Sequence, residues 1–313
     1  MQNPHRMRVL VVSNMAPDAE HPERGGFVRD QVAALRRIDG LDVALDEVPP
    51  GAYAAAARGL RARHRGRRYD VVHAHFGLTA VPALAVRGRL RGVTLHGRDL
   101  RNPRSRAVTL AVLPTQRLVG LAAEDLGSLL PAWARPRARA LPVGLALERF
   151  GPMPRPEARQ RLGLPPDERF LLFPYGPDRR IKRVERAREL ADAVGLPLRT
   201  LGGEPPERMR WWLNAATAVL VPSDHEGFGL AAVEALACDV PVLAQPTGAH
   251  AETVGRVPGC LCAPWDLQRW RAALEPHLAV PDPRVDGAPV AAHHGTDRYA
   301  ADLVAAWHSL AGD

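Results

Sequence analysis

The chain has 313 residues, of which 46% are hydrophobic and 24% charged, and its formal net charge is +8. This length is sufficient for two domains of ordinary size, each with its own buried core. No apolar run approaches the roughly 18 residues needed to cross a bilayer. The N-terminus also lacks the basic and apolar pattern of a secretory signal. These features argue against membrane-spanning and secreted proteins, and we expect a cytoplasmic protein.

The positive charge is concentrated in the first half of the chain. Residues 1–150 contain 24 arginines and 13 acidic residues, whereas residues 151–313 contain 18 basic and 21 acidic ones. The densest part is a cluster that consists of Arg58, Arg61, Arg63, Arg65, Arg67 and Arg68. It predicts peripheral contact with an anionic surface such as the inner face of a membrane, with a solvated helix face as the alternative. We expect no nucleic-acid partner, because no recognition motif accompanies the charge.

Lysine is almost absent from the sequence. Lys182 is the only lysine among 42 basic residues. Lysine carries a compact ammonium group on a flexible stem, whereas arginine carries a broad planar one. The presence of a lysine at position 182 suggests that this position requires an ammonium group. The alternative is that the lysine is there by chance.

Short β-rich runs alternate with helical stretches in the first half. The pattern predicts strand 8–13, helix 27–38, strand 42–48, helix 52–65, strand 69–75, helix 78–86, strand 92–96, strand 109–115 and helix 116–130. Such alternation is typical of a parallel sheet with crossover helices, as in a Rossmann-like domain.

A proline-dense stretch at residues 151–156 predicts a linker, so we place the domains at residues 1–150 and 151–313. The second half then predicts strand 170–174, helix 183–193, strand 198–201, helix 206–215, strand 218–221, helix 230–238 and strand 240–244. A last helix, 297–310, has an apolar face that must pack on another element, with the first domain as one candidate. Two similar α/β domains are expected to form a cleft.

The most informative stretch is residues 222–236, PSDHEGFGLAAVEAL. It leaves a predicted strand, turns through two glycines and starts a helix. Glycine allows close approach of the backbone to a ligand, and the N–H groups at a helix start attract phosphate or sugar oxygens. Glu226 and Glu234 can accept hydrogen bonds from sugar or ribose hydroxyls. A capped helix with two surface acids is the alternative interpretation.

The pattern E-G-F-G-L-x-x-V-E, from Glu226 to Glu234, resembles the signature of the retaining GT-B glycosyltransferases of family 4. The resemblance implies two Rossmann-like domains whose parallel sheets face a central cleft. It also implies that Glu226 contacts the donor sugar and Glu234 the nucleotide ribose. Because both carboxylates are then expected at the mouth of the cleft, we expect them to serve transfer and not stability.

Other segments match the same family in order along almost the whole chain. Gly25-Gly26 resembles the loop near the donor phosphates, TLHGRD at residues 94–99 resembles a cleft-lining segment, and PDRRIKR at residues 177–183 resembles a basic diphosphate clamp. The resemblance implies His96 and Glu226 as catalytic residues. For donor binding it implies Gly25, Gly26, Arg179, Lys182, Gly227, Phe228, Gly229, Leu230 and Glu234.

The implied reaction moves a sugar from a nucleoside-diphosphate sugar to a glycan, lipid-linked or small-molecule acceptor, with retention of configuration. Arg179, Lys182 and the helix-start N–H groups would stabilise the leaving diphosphate, so we expect neither a metal ion nor another cofactor. A shortened segment before Met209 most resembles a compact branch that includes teichuronic-acid-type transferases, which implies polysaccharide biosynthesis.

The sequence departs from the family pattern at two positions and leaves alternatives open. Val143 replaces the usual asparagine, and Asp239 replaces the usual glycine after the helix, where aspartate tolerates a left-handed cap. A nucleotide-sugar epimerase of the same fold and a catalytically weak binding or partner subunit are the alternative functions. Asp224 with Glu226 could also form an acidic metal motif. His73 and His75 point to the same side of a strand, where cleft lining or packing is favoured over metal binding.

Overall fold

The computed structural model describes residues 6–16 and 25–311. Within them the chain forms two compact units. The first unit contains residues 6–16, 25–144 and 296–311, and the second contains residues 145–295. The chain therefore enters the second unit after Gly144 and returns to the first at Thr296.

Each unit contains one parallel sheet. The sheet of the first unit has the order β2-β1-β3-β4-β5-β6, and that of the second has the order β11-β10-β9-β7-β8. The strands are β1 (Met7–Ser13), β2 (Leu41–Glu47), β3 (Tyr69–His75), β4 (Gly88–Leu95), β5 (Leu118–Leu121), β6 (Ala138–Ala140), β7 (Leu171–Phe173), β8 (Leu198–Thr200), β9 (Ala218–Val221), β10 (Val242–Ala244) and β11 (Leu261–Cys262). Because the strands are parallel, the loops that follow them emerge at one edge of each sheet.

Helices connect most of the successive strands. They are α1 (Gly26–Arg36), α2 (Tyr53–Arg63), α3 (Gly77–Ala83), α4 (Arg98–Arg101), α5 (Pro103–Val112), α6 (Arg155–Leu162), α7 (Val184–Val194), α8 (Pro206–Ala215), α9 (Leu230–Ala237), α10 (Leu267–Leu278), α11 (Ala288–Ala292) and α12 (Thr296–Ala311). Across residues 6–16 and 25–311, no helix combines the length and apolar content that a bilayer crossing requires.

The core of the first unit lies where α1 and α12 pack on the sheet. Residues 9–12 of β1 are all buried, as expected for a central parallel strand that is covered on both faces. The last helix contributes Tyr299, Leu303 and Trp307 to this core. The apolar face predicted for that helix thus packs within the first unit. In the second unit, Phe173, Leu220 and Trp270 belong to the corresponding core.

The predicted strand 109–115 and helix 116–130 are wrong. Thr109 lies in α5, residues 113–115 form a 3-10 turn, and the strand is β5, four buried residues further on. The physical reason is the helix start at Asn102, whose side chain accepts the backbone N–H groups of Arg104 and Ser105. Pro103 follows at the first helical position, where proline is favoured. These signals outweigh the β-rich composition of the segment.

The interpretation of Asp239 is confirmed. Its φ is 55°, in the left-handed region, directly after α9. Its Oδ1 also accepts the backbone N–H groups of Gly287 and Ala288, at 3.0 and 2.9 Å. Aspartate therefore closes α9 and anchors the start of α11, which a glycine at this position could not do.

Candidate functional site

The loop between β9 and α9 holds a buried carboxylate. Glu226 is 8% exposed, and its two oxygens accept hydrogen bonds from Lys182 Nζ at 2.6 Å and from the Tyr175 hydroxyl at 2.9 Å. Glu226 thus forms a buried ion pair with Lys182, the only lysine of the sequence.

Cationic side chains surround the ring of Tyr175. Lys182 Nζ lies 4.0 Å from the ring centroid and the Arg179 guanidinium carbon lies 5.7 Å from it, both within the range of a cation–π interaction. Lys182 is 6% exposed, whereas Arg179 is exposed. The predicted diphosphate clamp therefore has one buried cation fixed in position and one cation that reaches solvent.

Burial and ion pairing have opposite effects on the pKa values of Glu226 and Lys182. Burial alone would raise the pKa of Glu226, but attraction to Lys182 and His250 and the hydrogen bond from Lys182 lower it below its ordinary value. Burial lowers the pKa of Lys182, although Glu226 counteracts this. Burial and Glu226 raise the pKa of Tyr175 well above its ordinary value, so its phenol stays a hydrogen-bond donor. Glu226 is therefore ionised, and its charge is held by two fixed donors.

The Glu226 loop is fastened to the segment that carries Lys182. The backbone N–H of Asp224 donates to the carbonyl of Ile181 at 3.0 Å. Arg186 Nη1 donates to Asp224 Oδ1 at 2.8 Å and to the Pro222 carbonyl at 3.0 Å. These bonds fix the distance between the two halves of the ion pair. The Asp224 carboxylate is thus bound by Arg186, whereas the alternative metal motif requires it as a metal ligand.

Two glycines are required by close contacts around this loop. Gly229 precedes α9 with φ 106°, and a Cβ there would lie 2.3 Å from His250 Nε2. Gly248 has φ 60°, and a Cβ there would lie 2.6 Å from the carbonyl oxygen of Phe228. Phe228 itself is buried, and α9 starts at Leu230. Gly227, Phe228, Gly229 and Leu230 thus form the predicted turn into the helix.

His250 is a residue of this site that sequence reasoning missed. It is fully buried, and its Nδ1 lies 2.8 Å from the Gln245 carbonyl, so Nδ1 must carry the proton. Its Nε2 has no hydrogen-bond partner among the described residues. Burial lowers its pKa, with Glu226 counteracting this effect. The only indication of His250 in the local sequence is the nearby Gly248, a glycine in the loop after a buried strand.

Glu234 lies in the second turn of α9 and is partly buried. Its charge adds to the burial and the Glu226 charge that raise the pKa of Tyr175. Lys182, Glu226, Tyr175 and His250 form one cluster of the second unit, the Glu226 cluster.

In the first unit, Gly25 and Gly26 form the start of α1. Gly25 is its N-cap with φ 64°, and a Cβ there would lie 1.6 Å from the Met15 carbonyl oxygen. No other residue fits without displacing the backbone at Met15, two residues after the end of β1. Gly26 has open space around its Cα, so it leaves the backbone accessible at the helix start. The backbone here is suited to close approach by an anion.

His96 lies in a second cluster, in the loop after β4. Its Nε2 is 3.1 Å from Nδ1 of His75, and the two rings stack with centroids 5.3 Å apart. The Phe27 ring lies 5.4 Å from that of His96. Burial lowers the pKa of His96 to about 4, and burial and His96 lower that of His75 well below its ordinary value. Both imidazoles are therefore neutral near pH 7, and His96 acts as a hydrogen-bonding group and not as a cation.

Asp99 fixes the His96 loop. Its carboxylate is fully buried and accepts the backbone N–H of His96 at 3.1 and 3.2 Å and that of Gly77 at 3.3 Å. Burial raises its pKa to about 6 against these hydrogen bonds. The sequence pattern TLHGRD contains this aspartate but does not predict its role. Its role is to hold the loop after β4 against the start of α3.

His73 is a packing residue. Its Nε2 lies 2.8 Å from Thr94 Oγ1, and Trp307 Nε1 donates to its Nδ1 at 3.4 Å. Burial lowers its pKa to about 3. Its ring lies 5.6 Å from that of His75, so the prediction that both point to the same side is confirmed. Within residues 6–16 and 25–311, no group of three histidine, cysteine or acidic side chains is placed to hold a metal ion.

We expect the protein to lose stability as the pH falls from about 6.5 towards 4. Between these values the unfolded chain binds protons on His73 and His96, whose folded pKa values are about 3 and about 4. Each such proton lowers the free energy of unfolding by about 1.4 kcal/mol per pH unit. Asp99 opposes this loss, because its pKa is raised to about 6 on folding and the folded protein therefore gains a proton on it. This one proton is outweighed by the protons that the unfolded chain binds on His73 and His96.

Urea unfolding across this pH range, followed by circular dichroism, measures the effect. A His73→Gln variant retains a hydrogen-bond donor and an acceptor but does not titrate, so its free energy of unfolding should fall less per pH unit than that of the parent. Stability that is constant or rises on acidification would contradict the assignment of neutral, buried imidazoles.

The arginine cluster at residues 58–68 is mostly exposed. The helix α2 ends at Arg63, which pairs with Asp46 at 2.7 Å, and His64 lies 2.9 Å from the same carboxylate. The remaining arginines of the cluster face solvent. These positions fit the solvated helix face, and contact with an anionic surface stays a prediction.

Comparisons of the sequence with known proteins find similarity to glycosyltransferases. Residues 156–279 match a family model described as glycosyl transferases group 1. The chain is 28% identical to a D-inositol 3-phosphate glycosyltransferase of Segniliparus rotundus, over 80% of this chain and 68% of that protein. It is 28% identical to the protein of the same name from Thermobispora bispora, over 85% and 75% of the two chains.

Solved structures of two other proteins are similar over nearly the whole chain. Sucrose-phosphate synthase from Thermosynechococcus elongatus superposes with a TM-score of 0.74 at 20% identity, covering 97% of this chain and 99% of that one. HepE from Anabaena, in complex with UDP and glucose, superposes with a TM-score of 0.66 at 16% identity, covering 98% of both chains. Together with the two parallel sheets, these similarities confirm the predicted GT-B fold. The family model and the curated relatives support a glycosyltransferase.

Proposed function

We propose that the chain transfers a hexosyl group from a nucleoside-diphosphate sugar to an acceptor hydroxyl, with retention of configuration. The observation that carries the proposal is the buried pair of Lys182 and Glu226, in which Glu226 lies in the loop that leads into α9. The order of motifs along the chain and the names of its relatives support it.

The donor diphosphate is proposed to bind at Lys182, Arg179 and the start of α9. An ammonium group has three N–H donors, and Glu226 accepts one of them, which leaves donors for phosphate oxygens. The backbone N–H groups of the first turn of α9, which begins at Leu230, are proposed to bind further phosphate oxygens. These fixed charges and dipoles would stabilise the negative charge that develops on the leaving diphosphate.

Glu226 is proposed to act on the sugar as a permanent anion. Two donors fix its carboxylate, so it can accept hydrogen bonds from sugar hydroxyls and stabilise positive charge that develops on the ring. Glu234 is proposed to bind the ribose, and His96 the donor sugar, on the basis of the family resemblance. We assign no protein base, because the leaving phosphate can accept the acceptor's proton.

The acceptor is proposed to be a polyol or sugar hydroxyl, including lipid-linked forms. The matched relatives are named for D-inositol 3-phosphate, a phosphorylated polyol. A teichuronic-acid-type acceptor, and with it a place in polysaccharide biosynthesis, rests on the resemblance of the compact second half and stays a prediction.

The test is a thermal-shift panel of nucleotides and nucleotide sugars, followed by product analysis. A ligand that binds only the folded protein raises its melting temperature in proportion to its affinity. Nucleotide release that requires an acceptor, with a product of unchanged anomeric configuration, supports the proposal. An isomerised sugar formed without an acceptor would indicate the epimerase instead, and binding without any turnover would indicate the partner subunit.

We expect transfer to survive removal of divalent cations. The proposed leaving-group charge is stabilised by Arg179, Lys182 and the start of α9, and Asp224 is already bound by Arg186. Excess EDTA should therefore change the initial rate by less than about twofold, because these groups supply the electrostatic stabilisation. Loss of activity that Mg²⁺ or Mn²⁺ restores would contradict this and revive Asp224 with Glu226 as a metal motif.

A further inference from the structure

The Glu226 cluster contains a buried group that the proposed reaction does not use, the imidazole of His250. The ring is fully buried, and its Nδ1 donates to the Gln245 carbonyl at 2.8 Å. Its Nε2 therefore presents a lone pair, and this nitrogen has no hydrogen-bond partner among residues 6–16 and 25–311. Buried polar atoms are normally paired, so the placement of this one requires a physical reason.

The unpaired nitrogen lies against the turn that leads into α9. A Cβ on Gly229 would lie only 2.3 Å from His250 Nε2, and Gly229 directly precedes Leu230, the first residue of α9. The donor diphosphate is proposed to bind at this helix start. Because His250 is fully buried behind the turn, it can act on the diphosphate through its charge but not through contact.

The charged groups around His250 determine whether it holds a second proton. Burial has the largest effect and lowers the pKa of His250 below its ordinary value, and Lys182 also lowers it. Glu226, Glu252 and the hydrogen bond to the Gln245 carbonyl raise it. Since the lowering effects prevail, the imidazole is neutral at pH 7 when no ligand is bound.

A bound diphosphate changes this balance. The diphosphate of a nucleotide sugar is doubly negative, and its proposed position is at Lys182 and Arg179. Its charge would offset Lys182, the cation that opposes protonation, while Glu226 and Glu252 continue to favour it. An opposite charge nearby shifts the pKa of a titratable group by about 1–3 units. Such a shift favours a second proton on Nε2, the ring nitrogen that still has a lone pair.

We propose that binding of the nucleotide sugar is coupled to protonation of His250, which becomes a buried cation behind the turn before α9. This inference rests on the proposed donor site and adds a residue to it. The proton comes from solvent, forms a bond with Nε2 and returns to solvent when the nucleotide leaves. The imidazolium adds a fixed positive charge near the leaving diphosphate, where negative charge develops during transfer.

The coupling gives donor affinity a pH dependence of definite sign. The diphosphate favours the protonated ring, so the dissociation constant should rise with pH between the pKa of His250 in the unliganded protein and its pKa in the complex. The first of these pKa values lies below the ordinary histidine value. Each unit of difference between the two corresponds to about a tenfold change in affinity. The dissociation constant should therefore rise at least about tenfold across this range.

The test is isothermal titration calorimetry of the full chain with UDP-glucose, GDP-mannose and ADP-glucose. Their diphosphates are diesters that do not titrate near neutral pH, whereas the terminal phosphate of a free nucleotide has a pKa of about 6. Any proton taken up is therefore bound by the protein. The difference between the binding heats in phosphate and Tris buffers at one pH measures this proton. We expect net uptake by the parent between about pH 6 and pH 7.

Two matched variants assign the proton to one residue. His250→Asn keeps an N–H donor for the Gln245 carbonyl but has no nitrogen that accepts a proton. It should bind the donor without proton uptake, and its dissociation constant should not vary over this pH range. His225→Asn changes an exposed histidine of the Glu226 loop and should behave like the parent. Thermal melting checks that both variants are folded.

NMR of the parent labelled at its histidines tests the coupling without relying on the stability of a variant. One histidine nitrogen should change from the unprotonated to the protonated form when the donor is added. Donor binding without proton uptake, or uptake that persists in His250→Asn or disappears in His225→Asn, would overturn the coupling and leave the transferase assignment intact. If none of the three nucleotide sugars binds, the donor site and the coupling are both refuted.

Discussion

Replacement of Glu226 by glutamine is expected to lower the transfer rate by about 100-fold or more, the size of effect seen when one fixed electrostatic group is removed from an active site. It is also expected to lower the free energy of unfolding by about 3 kcal/mol, because removing one partner of a buried ion pair leaves the other charge unpaired. Glu226 and Lys182 are 8% and 6% exposed, so water cannot replace the lost partner.

The pH dependence of the variant identifies the cause of its instability. Burial already lowers the pKa of Lys182, and without Glu226 nothing counteracts it. The folded variant then binds fewer protons than its unfolded chain at pH values below the ordinary lysine pKa. Its stability should therefore recover as the pH rises, because the ammonium group loses its proton.

Glu185→Gln is the matched control for this experiment. Glu185 lies in α7 and pairs with Arg183 at 3.0 Å, and its side chain is 57% exposed. An exposed pair of this kind contributes at most about 1 kcal/mol, so activity and stability should stay close to those of the parent. Parent-like transfer by Glu226→Gln at limiting donor concentration would refute the role of Glu226.

The fold was predictable where local signals agree with burial. Strand Tyr69–His75 and helix Pro206–Ala215 have the predicted limits. The first is a buried apolar run, and the second begins with proline and keeps a helical period. The error at residues 109–130 arose because β-rich composition was weighed above the cap at Asn102, whose effect depends on its side chain reaching two backbone N–H groups.

The Glu226 cluster was only partly predictable for a different reason. Glu226 and Lys182 were each identified from motifs, but 44 residues separate them, and no sequence pattern states that they form a pair. Tyr175 and His250 belong to no motif that we identified, and they enter the site only because β7 and β10 lie on either side of β9. The placement of Glu226 at a cleft mouth stays a prediction, and its buried ion pair with Lys182 could not be read from either motif alone.

The close fit around Lys182 leads to the last prediction. Lys182→Arg keeps the charge but must place a larger planar group 4.0 Å from the Tyr175 ring centroid and within reach of Glu226. Overpacking of this kind costs about 1–3 kcal/mol and displaces neighbouring groups. We expect a folded, less stable protein with weaker donor affinity and a transfer rate lowered at least about tenfold, since small displacements of aligned groups are costly in catalysis.

Lys182→Met separates charge from packing, because methionine fills much of the same space without the ammonium group. Alone it leaves Glu226 buried and unpaired, so it should lose stability and activity. In the double variant Lys182→Met/Glu226→Gln neither charge remains, and replacing both members of a buried pair is often neutral for stability. We therefore expect the double variant to regain stability while its transfer rate stays as low as that of either single variant.

Arg183→Lys is the control for this series, since it makes the reverse exchange in the adjacent residue. Arg183 is 39% exposed and pairs with Asp224 at 2.7 Å, so the exchange should be nearly silent. If Lys182→Arg transfers sugar as fast as the parent, only the positive charge matters and the lone lysine is an accident of composition. If the double variant regains activity together with stability, the pair of Lys182 and Glu226 supports the fold alone, and the diphosphate must be bound by other residues.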